Sequence, residues 1–356
     1  MFLLILLALI VAFLGFAPQK YGIQRNHSKK YILICGVLVA AFSALRSPLT
    51  GTSDNYFYTI WYLDLQQYKS FKDYYDLNLS QYDFLSSEAG YYFVMWFFGH
   101  FLKDGQWAIV ISSLFITFAT CRFIYRNSAN VPLSLTIYVC LGLFTFNMNG
   151  MRQAMAMSVC LFAYEFARDR KLVPFILTVV IAMLFHKTAM CFLPMFIVPR
   201  LKNNVLSWFI YVVGLVLCLL YIDQIITGYY ELSGEDYSDN EIATGGGLFV
   251  ILLYIGTIAI TVFKRQILKR EVARTAMFAT LVGLVSYLAR FIGSGIMERI
   301  SFYYFYFPLL LIPEAFEELE EHEYKVVEIL FVIGAVVLFV YRVWKGDFKN
   351  FEFFFM

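Results

Sequence analysis

Charge is what this chain has least of. Of 356 residues only 15% are Asp, Glu, Lys or Arg, where a soluble domain carries about a quarter. Histidine occurs four times. The six cysteines, Cys35, Cys121, Cys140, Cys160, Cys191 and Cys218, form no C-x-x-C pair and keep no metal-ligand spacing with a histidine. They read as small residues of a membrane core, not as disulfides or ligands. No Walker sequence, internal repeat or low-complexity tract is present, so energy from nucleotide hydrolysis is not expected of this chain. A net charge of +2 points to no nucleic-acid partner.

What is there is apolar. Hydrophobic residues make up 60% of the chain, and the mean hydropathy is +0.67. They fall in runs at 2–17, 31–46, 106–124, 132–148, 152–167, 173–185, 188–199, 205–222, 247–263, 275–292, 299–313 and 326–343. Runs of this length bounded by charge or proline indicate transmembrane helices. The expectation is an all-α polytopic membrane protein of about 12 transmembrane helices in a single domain, 1–356, with the lipid bilayer as its surroundings. The first run lacks a basic stretch ahead of it and a small-x-small cleavage site, and reads as a retained helix. The segment "GYYFVMWFFGHFL" (90–102) is short for a span and reads as an interfacial helix within a first outer loop, 47–105.

Five basic clusters orient these runs: Lys20/Arg25/Lys29/Lys30, Arg122/Arg126, Arg168/Arg170/Lys171, Arg200/Lys202 and Lys264/Arg265/Lys269/Arg270/Arg274. With the first run passing from outside to inside, all five reach the cytoplasmic side. The outer side receives loop 47–105 and an acidic second loop, 223–246. The acidic stretch "EAFEELEEHEYK" (314–325) falls inside, where carboxylates weigh little in the rule.

So oriented, the helix that begins "GMRQAMAM" opens outward with Arg152 and Gln153, against the usual placement of arginine. Other polar groups collect at the same level: Arg46, Asp54, Asn147, Asn149, His186, Lys187, Arg290, Glu298 and Arg299. Charge at membrane depth is costly and faces a protein interior or a wet cavity. Guanidinium forks match phosphate oxygens two at a time, so this set suits a large anion. Blander readings stand beside it. Arg46 fits an interfacial anchor, Asp54 a helix cap, His186 a hydrogen-bonded turn residue, and Glu298 the structural partner of Arg299. In the outer loop, Asp236 and Asp239 have weak spacing for a hard cation.

Four blocks in order, "FSALRSPLTGTSDNYFY" (42–58), "NMNGMRQAMAMSVCLFAYEFARDRK" (147–171), "LFHKTAMCFLP" (184–194) and "RISFYYFYFPLLLIP" (299–313), resemble the EpsG family of bacterial exopolysaccharide polymerases, relatives of the Wzy O-antigen and capsule polymerases. One extra residue stands between Thr52 and Asp54 relative to the family pattern. The resemblance implies a GT-C-like helical bundle with amphipathic helices in the first outer loop. It also implies a glycosyltransferase that joins undecaprenyl-pyrophosphate-linked oligosaccharide repeat units at the outer, periplasmic face of the bacterial cytoplasmic (inner) membrane. It implies no cofactor and no metal, and a chain-length-regulating copolymerase as a partner. On that footing Arg152 and Arg299 bind the pyrophosphate, assisted by Arg46, Arg290 and Lys187. Asp54 or His186 serves as the base, Asp54 being slightly favoured. Gln153 supports Arg152, and Asn149, Tyr56 and Tyr303 support the site. A polysaccharide ligase or single-sugar transferase with a polyprenyl-linked donor would need the same arginines. A lipid-linked oligosaccharide flippase would instead need polar groups lining both halves of the membrane.

Overall fold

The computed structural model describes residues 1–15, 25–82, 87–221, 224, 227–228, 247–263, 265–291 and 296–356. These residues are helical, apart from turns and one isolated antiparallel bridge between Arg46 and Phe353. The second outer loop lies outside them except for residues 224, 227 and 228, and Asp236 and Asp239 lie outside them altogether.

In chain order the α-helices are α1 (Phe2–Gly15), α2 (Arg25–Ala44), α3 (Asp54–Leu65), α4 (Ala89–Gly99), α5 (Gln106–Asn127), α6 (Val131–Cys140), α7 (Leu143–Asn149), α8 (Met151–Arg168), α9 (Leu172–Met183), α10 (Val205–Leu220), α11 (Gly247–Phe263), α12 (Glu271–Ala289), α13 (Ile296–Tyr304), α14 (Pro308–Phe316) and α15 (Glu321–Lys345); one short helical turn, 71–79, lies between α3 and α4. Helices α2, α5, α8 and α9 pack in sequence, and α12 packs with α11, α13 and α14.

Among the described residues three helices are long and apolar enough to cross a membrane: Gln106–Asn127, Glu271–Ala289 and His322–Lys345. A fourth candidate is the pair α6 and α7, bent by 54°. Shorter apolar helices, Phe2–Gly15, Leu172–Met183 and Val205–Cys218, accompany them. Together with the exposed apolar side chains along them, these helices mark a membrane protein. Hydrocarbon cannot satisfy backbone amides, which is why helices carry the apolar runs.

Several expected spans are broken, each for a local reason. The 188–199 run is not an α-helix but two 3₁₀ stretches, Lys187–Phe196 and Val198–Arg200. Pro194 and Pro199 each remove a backbone donor there. The 132–148 run starts well, with the Asn130 side chain accepting from Leu133 N at 3.0 Å and Pro132 in the first turn. It stops at Gly142, whose φ of +105° is left-handed. The 299–313 run divides into α13 and α14, the second opened by Pro308. Within 90–102, α4 has 11 residues, roughly 16 Å at 1.5 Å per residue, and lies against α3 through Tyr91–Tyr58 and Tyr92–Trp61 ring contacts.

The cysteines are all unpaired. Cys35, Cys140 and Cys160 are buried as expected, whereas Cys218 is exposed on α10, a helix whose exposed residues, Val205, Phe209 and Leu220 among them, are largely apolar.

Candidate functional site

The break at Gly142 and a second one at Gly150 make α7 a seven-residue helix and set the first turn of α8 where the chain has just turned. A helix start leaves N–H groups without intrahelical acceptors and carries partial positive charge. Arg152 sits in that turn. Its Nη1 donates to Glu88 Oε2 at 2.6 Å and approaches the Tyr92 hydroxyl at 3.5 Å. Its guanidinium lies 5.5 Å from the centre of the Trp61 ring, and the Tyr58 phenol lies beside it.

Glu88 is the centre of this arrangement. The carboxylate also engages His186 Nδ1 in a short hydrogen bond and accepts from the backbone N–H of Lys187 at 3.3 Å. Glu88 is 4% exposed and His186 5%, while the Arg152 side chain keeps 30%. Arg152 is therefore the member of the three with a face open to an incoming group. Burial by itself raises the Glu88 carboxyl pKa, but the adjacent His186 and Arg152 outweigh burial and hold it below the usual carboxylate range.

The backbone at Glu88 is left-handed, with φ of +51°, which is uncommon for a residue bearing a Cβ. The next residues explain how it is held there. Gly90 N and Tyr91 N both donate to Leu184 O, at 2.9 and 3.3 Å, so the start of α4 is clamped to the end of α9. A Cβ on Gly90 would lie 2.7 Å from Leu184 Cβ and 2.9 Å from its carbonyl oxygen.

Other expected residues join the cluster. Gln153 Nε2 donates to the Arg299 carbonyl at 2.6 Å and so ties the start of α8 to α13. Thr188 and Tyr303 hydroxyls meet at 3.0 Å. Lys187 is buried and Arg299 half-buried. Arg152, His186 and the Lys187 backbone N–H thus meet at Glu88, while Gln153, Arg299 and Tyr303 are joined to their neighbours through the contacts of α8, α13 and the 3₁₀ stretch.

Five expected residues take other places. Arg46 is neither a surface anchor nor presented to a ligand: it is 0% exposed. Its Nη1 donates to the Ser43 carbonyl and to Ser113 Oγ at 3.0 Å. Its Nη2 donates to Asn55 Oδ1 at 3.1 Å and Met148 O at 2.6 Å, knotting α2, α3, α5 and α7 together. Arg290, 2% exposed, pairs with Glu298 at 2.9 Å and lies over the Tyr287 and Phe291 rings at 4.3 and 4.8 Å. Glu298 is therefore engaged by Arg290. Asn149 accepts from Thr52 N at 3.2 Å and so ties α7 to the loop before α3. Asp54 and Tyr56 are exposed. Asp54 is not a cap, since Ser53 precedes the helix and no side chain caps it. It stands one turn before Tyr58, whose phenol feels both Asp54 and Arg152, and so lies at the margin of the cluster.

Glu88 was missed from sequence. Its signal was the one used for Arg152, a lone charge at the edge of the apolar run "AGYYFVMWFFG"; it went unread because that run was too short to count as a span. Among the described residues no group of three or more His, Cys, Asp or Glu could hold a metal ion.

The far ends of α5 and α8 carry a separate polar group. Arg122 grips Glu165 with two bonds of 2.6 and 2.7 Å, Arg126 reaches the same carboxylate at 3.0 Å, and Arg168 donates to Asn127 at 2.6 Å. These arginines are tied into a latch some 20 Å or more along the helices from Arg152, given 1.5 Å of rise per residue.

No curated protein and no solved structure matches the chain. The model of the EpsG family matches residues 29–355, a span that takes in the loop of Asp54, the Glu88–Arg152–His186 cluster, Arg299 and the C-terminal segment; the chain belongs to the EpsG family, the family of exopolysaccharide and Wzy-type polymerases.

Proposed function

We propose that the chain is a polysaccharide polymerase that transfers undecaprenyl-pyrophosphate-linked oligosaccharide repeat units onto one another at the outer face of the cytoplasmic membrane. Family membership supports the polymerase reading. The observation that carries the chemistry is the buried Glu88–His186 pair beside a partly open Arg152. In this reading the short and broken helices count as membrane crossings, giving a GT-C-like bundle of about twelve.

Breaking the bond between the sugar C1 and the pyrophosphate oxygen places negative charge on the leaving group. Arg152 meets the carboxylate of Glu88, and in this reading Lys187 and Arg299 supply the further positive charge that a pyrophosphate needs. Preorganised cations in a water-poor site stabilise such charge as it develops. The acceptor hydroxyl attacks C1, the glycosidic bond forms, and the hydroxyl proton passes to a base. Of the two candidates the geometry favours His186. Its Nδ1 is fixed by Glu88, which orients the ring and stabilises the imidazolium formed when the other nitrogen takes the proton. Asp54, exposed at the head of α3, then orients the acceptor. Undecaprenyl pyrophosphate leaves, so neither nucleotide sugar nor ATP enters the reaction.

The test is turnover by purified protein given an undecaprenyl-pyrophosphate oligosaccharide without nucleotide sugar, products being resolved by size. A ladder of repeats that disappears in Arg152→Ala and His186→Ala supports the reading. A single addition identifies a ligase or one-step transferase on the same arginines. Movement of substrate across a liposome bilayer without any covalent product identifies a flippase and overturns the enzyme.

A further inference from the structure

A cavity of about 580 Å³ opens beside α7, and Glu88, Arg152 and His186 are not among the residues lining it. Its walls include two carboxylates, Glu298 and Asp347, two cations, Arg342 and Lys345, the Asn149 amide and the Phe302 ring. The volume is that of a small-molecule site. Its chemistry discriminates among ligand classes. An acyl chain would leave the carboxylates and the amide facing hydrocarbon, which is unfavourable. With Arg342 and Lys345 offsetting Glu298 and Asp347, the walls carry no net charge that would select an anion. A neutral polyhydroxyl ligand suits the mixture, because sugar C–H faces lie on aromatic rings while hydroxyls bond to carboxylates and amides.

The cavity adjoins the reacting end of the molecule. Asn149 in its wall is three residues before Arg152 and holds the loop leading to Asp54 through Thr52 N. Its outer wall is the C-terminal segment after α15. That segment is pinned to the same loop: Ser47 N donates to Glu352 O and Phe354 N to Leu45 O, both at 2.9 Å. Phe348 packs against Gly51, and Phe351 and Phe353 pack on Phe42.

We propose that this cavity is a saccharide subsite, walled by the C-terminal segment, which seats the acceptor glycan while Arg152 receives the pyrophosphate of the donor. The proposal rests on the polymerase reading. Asp347 is exposed at the rim, so a reporter there leaves the fold intact, and Leu177, 57% exposed on α9, provides a control position remote from the cavity.

The experiment incorporates the photoreactive residue p-benzoylphenylalanine at Asp347 or at Leu177 in cells that make the polysaccharide, followed by irradiation and purification of the chain. The expected result is an adduct at 347 several-fold above that at 177, heterogeneous in mass, and collapsing on acid hydrolysis of the glycan to the chain carrying a single sugar residue. Equal labelling at both positions, or an adduct at 347 that survives glycan hydrolysis as a lipid would, overturns the subsite. Deleting the gene in the same cells separates the two ideas. Loss of polymer with no selective adduct sinks the subsite alone, whereas polymer that persists sinks the polymerase reading and the subsite with it.

Discussion

Glu88, Arg152 and His186 form a unit in which each side chain is fixed by another, and their substitutions should separate charge from shape. Arg152→Ala removes the cation nearest the leaving group, and turnover is expected to fall by about a hundredfold to a thousandfold. Arg152→Lys should recover only part of this, because an ammonium cannot offer a planar fork to two phosphate oxygens; the size-resolved ladder assay measures both. Glu88→Gln leaves Arg152 without its buried counter-ion. Breaking a buried pair in this way costs roughly 3–5 kcal/mol, readable as a lower melting midpoint of the detergent-purified protein. The pH dependence follows from the same carboxylate. Its pKa is depressed in the folded chain, so its contribution to stability is full above the ordinary carboxylate range. That contribution is lost as the pH falls below the range. Wild-type stability should drop on acidification, and Glu88→Gln should flatten that drop. An unchanged slope in the variant would show that other carboxylates govern acid unfolding.

Elements matter here mainly where they stop. Gly142 ends α6 in a left-handed conformation, and a Cβ there would lie 1.9 Å from Arg342 Nη1. Gly142→Ala combines backbone strain with a clash, and a loss on the order of 1–3 kcal/mol is expected for the strain alone. The variant should also shift Asn149 and Arg152, lowering activity at temperatures where the protein is still folded. Gly90→Val tests the clamp between α4 and α9: the side chain would push α4 off Leu184 and draw Glu88 from His186, with turnover reduced as in Glu88→Gln. Apolar runs were legible at this scale because burial and lipid both select for them. The breaks were less so. Gly142 sits inside an apolar run with nothing in its neighbours to say that the backbone turns left-handed there, and Pro194 did not by itself announce a 3₁₀ stretch in place of a helix.

At the scale of the whole molecule, the two ends of α5 and α8 differ in kind. One end holds Arg122 and Arg126 on Glu165 in a closed latch, and the other holds Arg152 partly open. Glu165→Gln should therefore destabilise the protein without altering the length distribution of product, a contrast with Arg152→Ala in the same assay. The C-terminal segment joins the most distant parts of the sequence, Leu45–Ser47 with Glu352–Phe354. Removing residues 349–356 takes away that bridge and the Phe42 ring contacts. The expected outcome is faster proteolysis in the loop 46–52 and reduced turnover, with the Glu165 end unaffected.

Composition and periodicity were enough to establish a helical membrane protein, because apolar runs of this length satisfy their backbone bonds only as helices. The four motif blocks were enough to establish the family, since their order survives in one dimension. They also placed Arg152, His186, Lys187 and Arg299 at one end. What only the tertiary structure decided is who faces whom. Arg46 and Arg290 carry the same charge as Arg152 and stand at similar positions in the sequence, yet Arg46 is consumed by Ser43, Ser113, Asn55 and Met148 and Arg290 by Glu298. Glu88, inconspicuous in a loop, becomes the hub. A side chain's role in a low-dielectric interior depends on the few ångströms to its neighbours, and that distance is set by the packing of helices far apart in the chain.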